Sequence, residues 1–333
     1  MEWSFSLVLP LLAFFSSMFG TRYLIGYLTN NNILDRPNKR SSHLQPVPRG
    51  GGIAVIVSLV LVWLVIGIFE GPKGAGIITI TGISLILAGI SLFDDLRGLG
   101  AFFRLVTHLL SVSAALYFVP LPGLVFGGVL PPTLDLIVTG VLWVWFTNLF
   151  NFMDGIDGIA SVEAIAISLG IFVIARKLGL GEQSVILSLS IGAAALGFLR
   201  WNWHPAKIFL GDVGSIPLGF LLGWMLLELA ANGAGVPALI LPLYFLADAT
   251  LTLLRRIIRR EKLWEAHRQH FYQRAVASGL KQDQVVWIVG VANLFLLMLA
   301  IVAVRGLSEA SLLAACGAVS VLMFLMIKGG PTN

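Results

Sequence analysis

The stretch NFMDGIDGIA, residues 151–160, places an Asn and two Asp, each Asp followed by Gly, between two oily runs. Before it comes LDLIVTGVLWVWFTNLF (134–150), after it IASVEAIAISLGIFVIA (159–175). Polar residues between apolar runs of that length belong at a membrane boundary. The composition agrees. The chain of 333 residues is 57% hydrophobic and only 12% charged, against about 25% charged in a soluble domain, and its mean hydropathy is +0.92. Cys316 is the single cysteine and lies in an apolar run, which excludes a disulfide framework and a Cys-based metal site.

A membrane-spanning helix needs about 20 predominantly apolar residues. Eleven runs approach this, with cores near 5–28, 52–69, 76–93, 104–119, 134–150, 159–175, 183–199, 214–231, 236–254, 285–304 and 309–327. The start, MEWSFSLVLPLLAFFSSMFG, has no basic region ahead of its apolar run, and a retained first span is expected rather than a signal peptide. The expected fold is all-α: a polytopic membrane protein of about 11 transmembrane helices, forming one domain over 1–333. With the N-terminus on the periplasmic side, seventeen of the 22 Lys and Arg fall in inside loops and four in outside loops. That bias is the positive-inside pattern and puts the C-terminus in the cytoplasm. It also accounts for the net charge of +5 without nucleic acid.

On that map the polar motifs share one face, in loops near 29–51, 94–103, 151–158, 200–213 and 255–284. Asp94 and Asp95 close the third span. Adjacent carboxylates repel unless a cation or proton relieves them, and the bland alternative is a pair of loop acids beside Arg97. Asn148, Asn151, Asp154 and Asp157 recur every three residues, a spacing that stays within a broad helical face. Gly155 and Gly158 then leave room for a ligand to approach the backbone. Asp212, in FLGDVGS, suits a divalent cation or an ordinary helix cap. Lys39, Arg40, His43 and Arg49 precede a Gly run, and Lys207 lies in the fourth inside loop. His267 and His270, within HRQHFYQR, suit a nucleotide or phosphate, whereas Arg255, Arg256, Arg259 and Arg260 are explained as well by anionic lipid. Asp248 is expected to be the acid within a span, paired with Arg255 or with the site. His108, Trp143 and Trp145 are expected to pack.

Carboxylates for a divalent metal, basic groups for phosphate and a membrane face together point to phosphoryl transfer from a soluble nucleotide donor to a lipid phosphate. The same motifs, DD at 94–95, NLFNFMDGIDG at 148–158, PAKIFLGDVGS at 205–215 and HRQHFYQR at 267–274, after DRPNKRSSH and PVPRGGG, run in the order of a known family. The chain resembles the polyprenyl-phosphate N-acetylhexosamine-1-phosphate transferases, the glycosyltransferase family 4 enzymes that include MraY, WecA and WbpL. Its short His motif is closest to the O-antigen-initiating, WbpL-like branch.

That resemblance implies a bacterial inner-membrane enzyme with its active site facing the cytoplasm. It would transfer an N-acetylhexosamine 1-phosphate from a UDP-sugar to undecaprenyl phosphate, releasing UMP and starting O-antigen or another envelope polysaccharide. The implied cofactor is Mg2+, with Mn2+ as a substitute, and a homodimer is compatible with the family. By the same resemblance Asp212 and Asn151 would hold the metal. Asp94, Asp95, Asp154 and Asp157 would be the catalytic acids. Lys39, Arg40, Asn148, Lys207, His267 and His270 would bind substrate. The alternatives are a phospho-N-acetylmuramoyl-pentapeptide transferase of peptidoglycan synthesis and, in another class, a transporter. A transporter would place paired acids near the midplane in repeated halves, and no repeat is evident.

Overall fold

The computed structural model describes residues 3–35, 37, 45–262 and 267–328. Its long helices are α1 (Trp3–Asn30), α2 (Gly52–Phe69), α3 (Ala75–Arg97), α4 (Ala101–Phe118), α5 (Pro132–Met153), α6 (Ile159–Leu178), α7 (Glu182–Asn202) and α8 (Asp212–Leu229). They are followed by α9 (Gly235–Ile240), α10 (Leu243–Ile258), α11 (Phe271–Ala277), α12 (Gln282–Ala303) and α13 (Ser308–Lys328). Among the described residues ten segments are long and apolar enough to cross a membrane. Large apolar side chains such as Ile68, Phe102, Tyr117, Leu313 and Phe324 point outward, as they must when the solvent is lipid. The protein is a polytopic membrane protein.

The ninth expected run, 236–254, is broken. A wide turn at Ala230–Ala234, with Gly233 at φ 88°, ends α8. Pro242 then separates α9 from α10, because its ring removes a backbone donor and clashes with the preceding turn.

Helix α8 is the axis of the bundle. It is apolar on every side and almost wholly buried, the pattern of a helix with neighbours all round. It packs against α2, α3, α5, α6 and α7. Small residues let backbones approach within a membrane bundle, and one contact of this kind fixes the site. A Cβ on Gly52 would lie 2.2 Å from the Gly214 Cα, so the first turns of α2 and α8 touch backbone to backbone. A short ladder supports them. β1 (Leu34–Asp35) pairs antiparallel with β2 (Val47–Pro48), Leu34 opposite Pro48. Arg49 then bridges to Phe209, with Gly50 N and Gly51 N both donating to the Phe209 carbonyl at 3.1 and 2.9 Å.

Acids do lie within the spans besides Asp248. Glu163 in α6 is wholly buried and its Oε2 accepts a 2.7 Å hydrogen bond from Asn293 Nδ2 of α12. Glu228 in α8 accepts from Ser184 at 3.1 Å. Trp143 packs as expected, stacked on Phe220 with its indole N–H donating to the Phe220 carbonyl at 2.9 Å. Trp145 donates to Thr250 at 3.2 Å.

Candidate active site

Up-and-down threading brings the start of α2, the end of α3, the start of α4, the end of α5 and the start of α8 to one end of the bundle. Asp95 leaves the last turn of α3 toward α8, where its carboxylate accepts from Asp212 N (3.3 Å) and Val213 N (3.0 Å). It thereby satisfies two of the free donors of a helix start. Arg49 Nη2 lies between two carboxylates, 2.8 Å from Asp95 Oδ1 and 2.9 Å from Asp212 Oδ1. Asp212 Oδ1 also accepts from Asn151 Nδ2 at 3.1 Å, and Asn151 reaches Ser215 Oγ at 2.8 Å.

Asp94 turns the other way. Its Oδ1 takes the Leu99 amide, and its Oδ2 lies 3.4 Å from Arg104 Nη1, which is also 3.7 Å from Asp212 Oδ2. The adjacent acids are therefore relieved by two different guanidinium groups, Arg49 and Arg104. Arg97, the partner suggested by proximity in sequence, lies instead over the Phe93 ring at 5.6 Å.

Asp154 lies just beyond α5, half-buried. Burial pushes its carboxyl up to about 7; the charge of Asp212 adds to the shift, Arg49 opposes it, and Asp95 and Asp157 add further. Asp157 is placed differently. It is buried and clamps the next loop, with one oxygen at 2.7 Å from His204 Nδ1 and 3.0 Å from Ala206 N. The backbone around it is held by side chains too: Asp157 N donates to Gln282, and Gly158 N donates to Asn202, both at 2.9 Å. Asn148 Oδ1 is 3.2 Å from His108 Nδ1, so His108 carries a polar contact toward the site as well as packing.

Gly155 does not leave an open approach for a ligand. A Cβ there would meet the Tyr272 hydroxyl at 2.2 Å and Gln273 Nε2 at 3.1 Å, so its missing side chain makes room for α11. Tyr272 also donates its hydroxyl hydrogen to the Phe152 carbonyl at 3.2 Å.

The partner of Asp248 is the His motif, not Arg255, whose guanidinium covers the Phe271 ring at 4.6 Å. Asp248 is wholly buried. Its Oδ1 faces His270 Nδ1 (3.0 Å), Phe271 N (3.0 Å) and Thr252 Oγ1 (3.3 Å); its Oδ2 faces Tyr272 N and the Tyr244 hydroxyl (both 3.2 Å). His270 is buried with it, and the His267 ring lies 4.9 Å away. Burial, then His270 and Arg256, hold the His267 imidazole down at about 4. Arg256 is buried and paired with Glu261 at 3.0 Å rather than facing lipid.

Lys207 is exposed, 5.4 Å from the centre of the Trp201 ring. Lys39, Arg40 and His43 lie outside the described residues. Among the described residues no three His, Cys, Asp or Glu side chains converge closely enough to hold an ion by themselves. What does converge is a pair of carboxylates, those of Asp95 and Asp212, with the Asn151 carboxamide beside them donating its Nδ2 hydrogens to Asp212 and Ser215. That set fits magnesium, a hard ion usually bound through one or two carboxylates and completed by substrate phosphates.

Comparison with known proteins bears on what such a site does. Residues 77–230 match the family model for glycosyl transferase family 4. An undecaprenyl-phosphate alpha-N-acetylglucosaminyl 1-phosphate transferase of Thermotoga maritima is 31% identical over 266 residues, covering 79% of this chain and 80% of that protein. The chain belongs to glycosyl transferase family 4. It is an enzyme, a sugar-1-phosphate transferase of that family. A probable undecaprenyl-phosphate N-acetylglucosaminyl 1-phosphate transferase of Bacillus subtilis is 28% identical over 269 residues, 77% of this chain and 73% of its own. A phospho-N-acetylmuramoyl-pentapeptide-transferase of Moorella thermoacetica is 37% identical, but over 89 residues, 27% of this chain and 28% of its own.

Within the family 4 site, Arg104, Ser215, His204, Asn202 and Gln282 were not singled out by the sequence reading. Arg104 had a usable signal, a lone cation opening an apolar run nine residues after the DD pair. The others are ordinary polar residues at helix ends whose partners are 44 to 125 positions away.

Proposed function

We propose that the protein transfers N-acetylglucosamine 1-phosphate from UDP-N-acetylglucosamine to undecaprenyl phosphate, releasing UMP, as the first step of O-antigen or another envelope polysaccharide. The observation that carries this reading is the convergence of Asp95, Asp212 and Asn151 with two guanidinium groups at one end of a membrane bundle. Two relatives that run along most of the chain are named for N-acetylglucosamine and undecaprenyl phosphate, and a third, of Mycobacterium leprae, for N-acetylglucosamine and decaprenyl phosphate; the proposed donor and acceptor follow the first two. The clustering of Lys and Arg in the loops at that end favours a site facing the cytoplasm, in a bacterial cytoplasmic membrane.

In this reading Asp212 and Asp95 would hold a magnesium ion, with Asn151, which donates to Asp212, beside them. When bound, the ion neutralises charge on the donor diphosphate and the leaving phosphate. Arg104, bridging Asp94 and Asp212, receives the lipid phosphate, whose second pKa near 6 leaves it largely dianionic at neutral pH. A base therefore has little to remove, and direct attack on the sugar-bearing phosphorus is favoured over an aspartyl intermediate. Asp94 keeps Arg104 aimed. Asp154, half-buried beside Asp212, holds or gives up a proton near neutral pH as charge accumulates. Asp157 acts through His204 and Ala206 to fix the loop beside the nucleotide. His267 stays neutral at pH 7 and offers a ring face and one N–H to the uridine or diphosphate, with Asp248 orienting its neighbour His270.

The test is UMP release by detergent-purified protein with magnesium, a panel of UDP-amino sugars and UDP-N-acetylmuramoyl-pentapeptide, with and without undecaprenyl phosphate. Lipid-dependent release with UDP-N-acetylglucosamine, lost in Asp212→Ala, is expected. Preference for the pentapeptide donor would move the enzyme to peptidoglycan synthesis. Release without lipid would revive an aspartyl intermediate.

A further inference from the structure

Arg49 makes an unusual use of a guanidinium group. A single atom, Nη2, bridges one oxygen of Asp95 and one of Asp212, at 2.8 and 2.9 Å. An ion held by those same two oxygens at about 2.1 Å from each would take the space of the Nη2 hydrogens and repel the cation that carries them. Arg49 and a divalent ion are therefore alternatives at this pair of carboxylates.

The surroundings allow the exchange. The Arg49 backbone is pinned: Phe209 N donates to the Pro48 carbonyl at 2.9 Å, and Gly50 N and Gly51 N donate to the Phe209 carbonyl. Its side chain is 39% exposed, whereas that of Asp95 is 6% exposed. The carboxylates are fixed by backbone donors of α8 and by Asn151. The guanidinium is the part free to swing. It is always charged, and its planar fork matches two phosphate oxygens. Arg104 does not share this geometry, since it lies 3.7 Å from Asp212 and 3.4 Å from Asp94 and touches no oxygen of Asp95 in the contacts seen.

We propose that Arg49 is the site's own counter-ion: it competes with the divalent cation for Asp95 and Asp212, and passes from these carboxylates to the diphosphate of the incoming nucleotide. This rests on the reading that the cluster receives a metal-bound nucleotide diphosphate. Arg49 thus holds the acids together when no nucleotide is present, and binding exchanges one cation for another without leaving a carboxylate pair uncompensated.

The experiment measures two affinities on detergent-purified Arg49→Gln, with Arg104→Gln as the control for simple removal of a nearby positive charge. Mn2+ binding to protein without nucleotide is followed by the signal of free Mn2+ in electron paramagnetic resonance. UDP binding is followed by calorimetry at saturating Mn2+. Arg49→Gln is expected to tighten Mn2+ at least tenfold more than Arg104→Gln does, and to weaken UDP at least tenfold. Equal tightening by the two variants would overturn the competition. Unchanged or tighter UDP binding would overturn the transfer to the diphosphate. Arg49→Lys, which keeps the charge without the fork, is expected to restore Mn2+ affinity to within threefold of the parent but not UDP affinity; restoration of both would remove the role of the fork. Failure of the parent protein to release UMP with lipid would count against the assigned reaction alone, because neither affinity depends on turnover.

Discussion

Replacing Asp248 by Ala would expose what holds the His motif in place. Five donors meet this buried carboxylate: His270 Nδ1, the amides of Phe271 and Tyr272, Thr252 and Tyr244. A buried donor left without an acceptor costs about 1–3 kcal/mol, and loss of a helix cap costs about 0.5–2 kcal/mol. The two hydroxyls can rotate to other acceptors, so the amides of Phe271 and Tyr272 and the ring N–H of His270 set the scale. Together they give roughly 3–5 kcal/mol, similar to the loss of one partner of a buried ion pair. That loss falls on α11, not on the spans, because α11 has seven residues and this carboxylate sits at its start. At about 1.4 kcal/mol per factor of ten, hydrogen exchange of the Phe271 and Tyr272 amides should accelerate by about two to three and a half orders of magnitude, with α5 and α8 unchanged. Asp248→Asn keeps one acceptor oxygen and should show a smaller effect. Since Tyr272 leans on Gly155 and Phe152, UMP release should fall in both variants, further in Ala. Unchanged exchange at Phe271 and Tyr272, or an Asn variant worse than Ala, would refute this account of α11.

Asp154 gives a pH signature. Its carboxyl is raised to about 7 from 3.8, so between those values the folded protein binds more protons than the unfolded chain and stability falls as pH rises. Asp154→Asn should therefore stabilise the fold at pH 8 in the absence of divalent ions, by at most about 4 kcal/mol less what partial exposure screens, raising the thermal midpoint there and leaving it unchanged at pH 4, while UMP release is lost. A midpoint that shifts equally at both pH values would remove the burial argument. His204→Ala should free Asp157 and cost at least tenfold in UMP release, with His204→Gln milder; equal activity of all three proteins would show the clamp to be dispensable. Gly52→Val would drive a side chain into the Gly214 backbone and should cost more than about 3 kcal/mol, read as poor yield or a lowered midpoint, whereas Gly82→Ala, where a Cβ meets nothing within 4 Å, should be neutral.

Much of this was legible in the sequence, for reasons that can be named. Long apolar runs identify spans because lipid admits few other structures, and among the described residues ten of the eleven expected runs fall in segments long and apolar enough to cross a membrane. The exception, 236–254, contains Pro237 and Pro242, and hydropathy is blind to the break they promote. The acids at 94–95, 151–157 and 212 stood out as polar residues against apolar neighbours. Their pairings did not, because Arg49 and Asp212 are 163 positions apart and only the bundle brings them together. Proximity in the chain offers Arg97 as one relief for the DD pair and Arg255, alongside the site itself, as a partner for Asp248; neither Arg makes the pair. In both cases an aromatic ring takes the nearby guanidinium and a more distant donor takes the acid. Glu163 was overlooked because one acid barely lowers the hydropathy of the run around it. Gly155 was assigned to a ligand because its packing partner, Tyr272, lies more than 100 residues ahead.

The backbone contact between Gly52 and Gly214 has an electrical side. Each helix start carries roughly half a positive charge from its aligned peptide dipoles, and this contact brings two of them together, α2 and α8. Side by side they would repel; the carboxylates of Asp95 and Asp212 sit where that field is strongest and neutralise it. Part of the positive potential at the site thus belongs to the main chain. No side-chain substitution removes it, so a variant lacking Arg49 should still hold the two carboxylates at the start of α8.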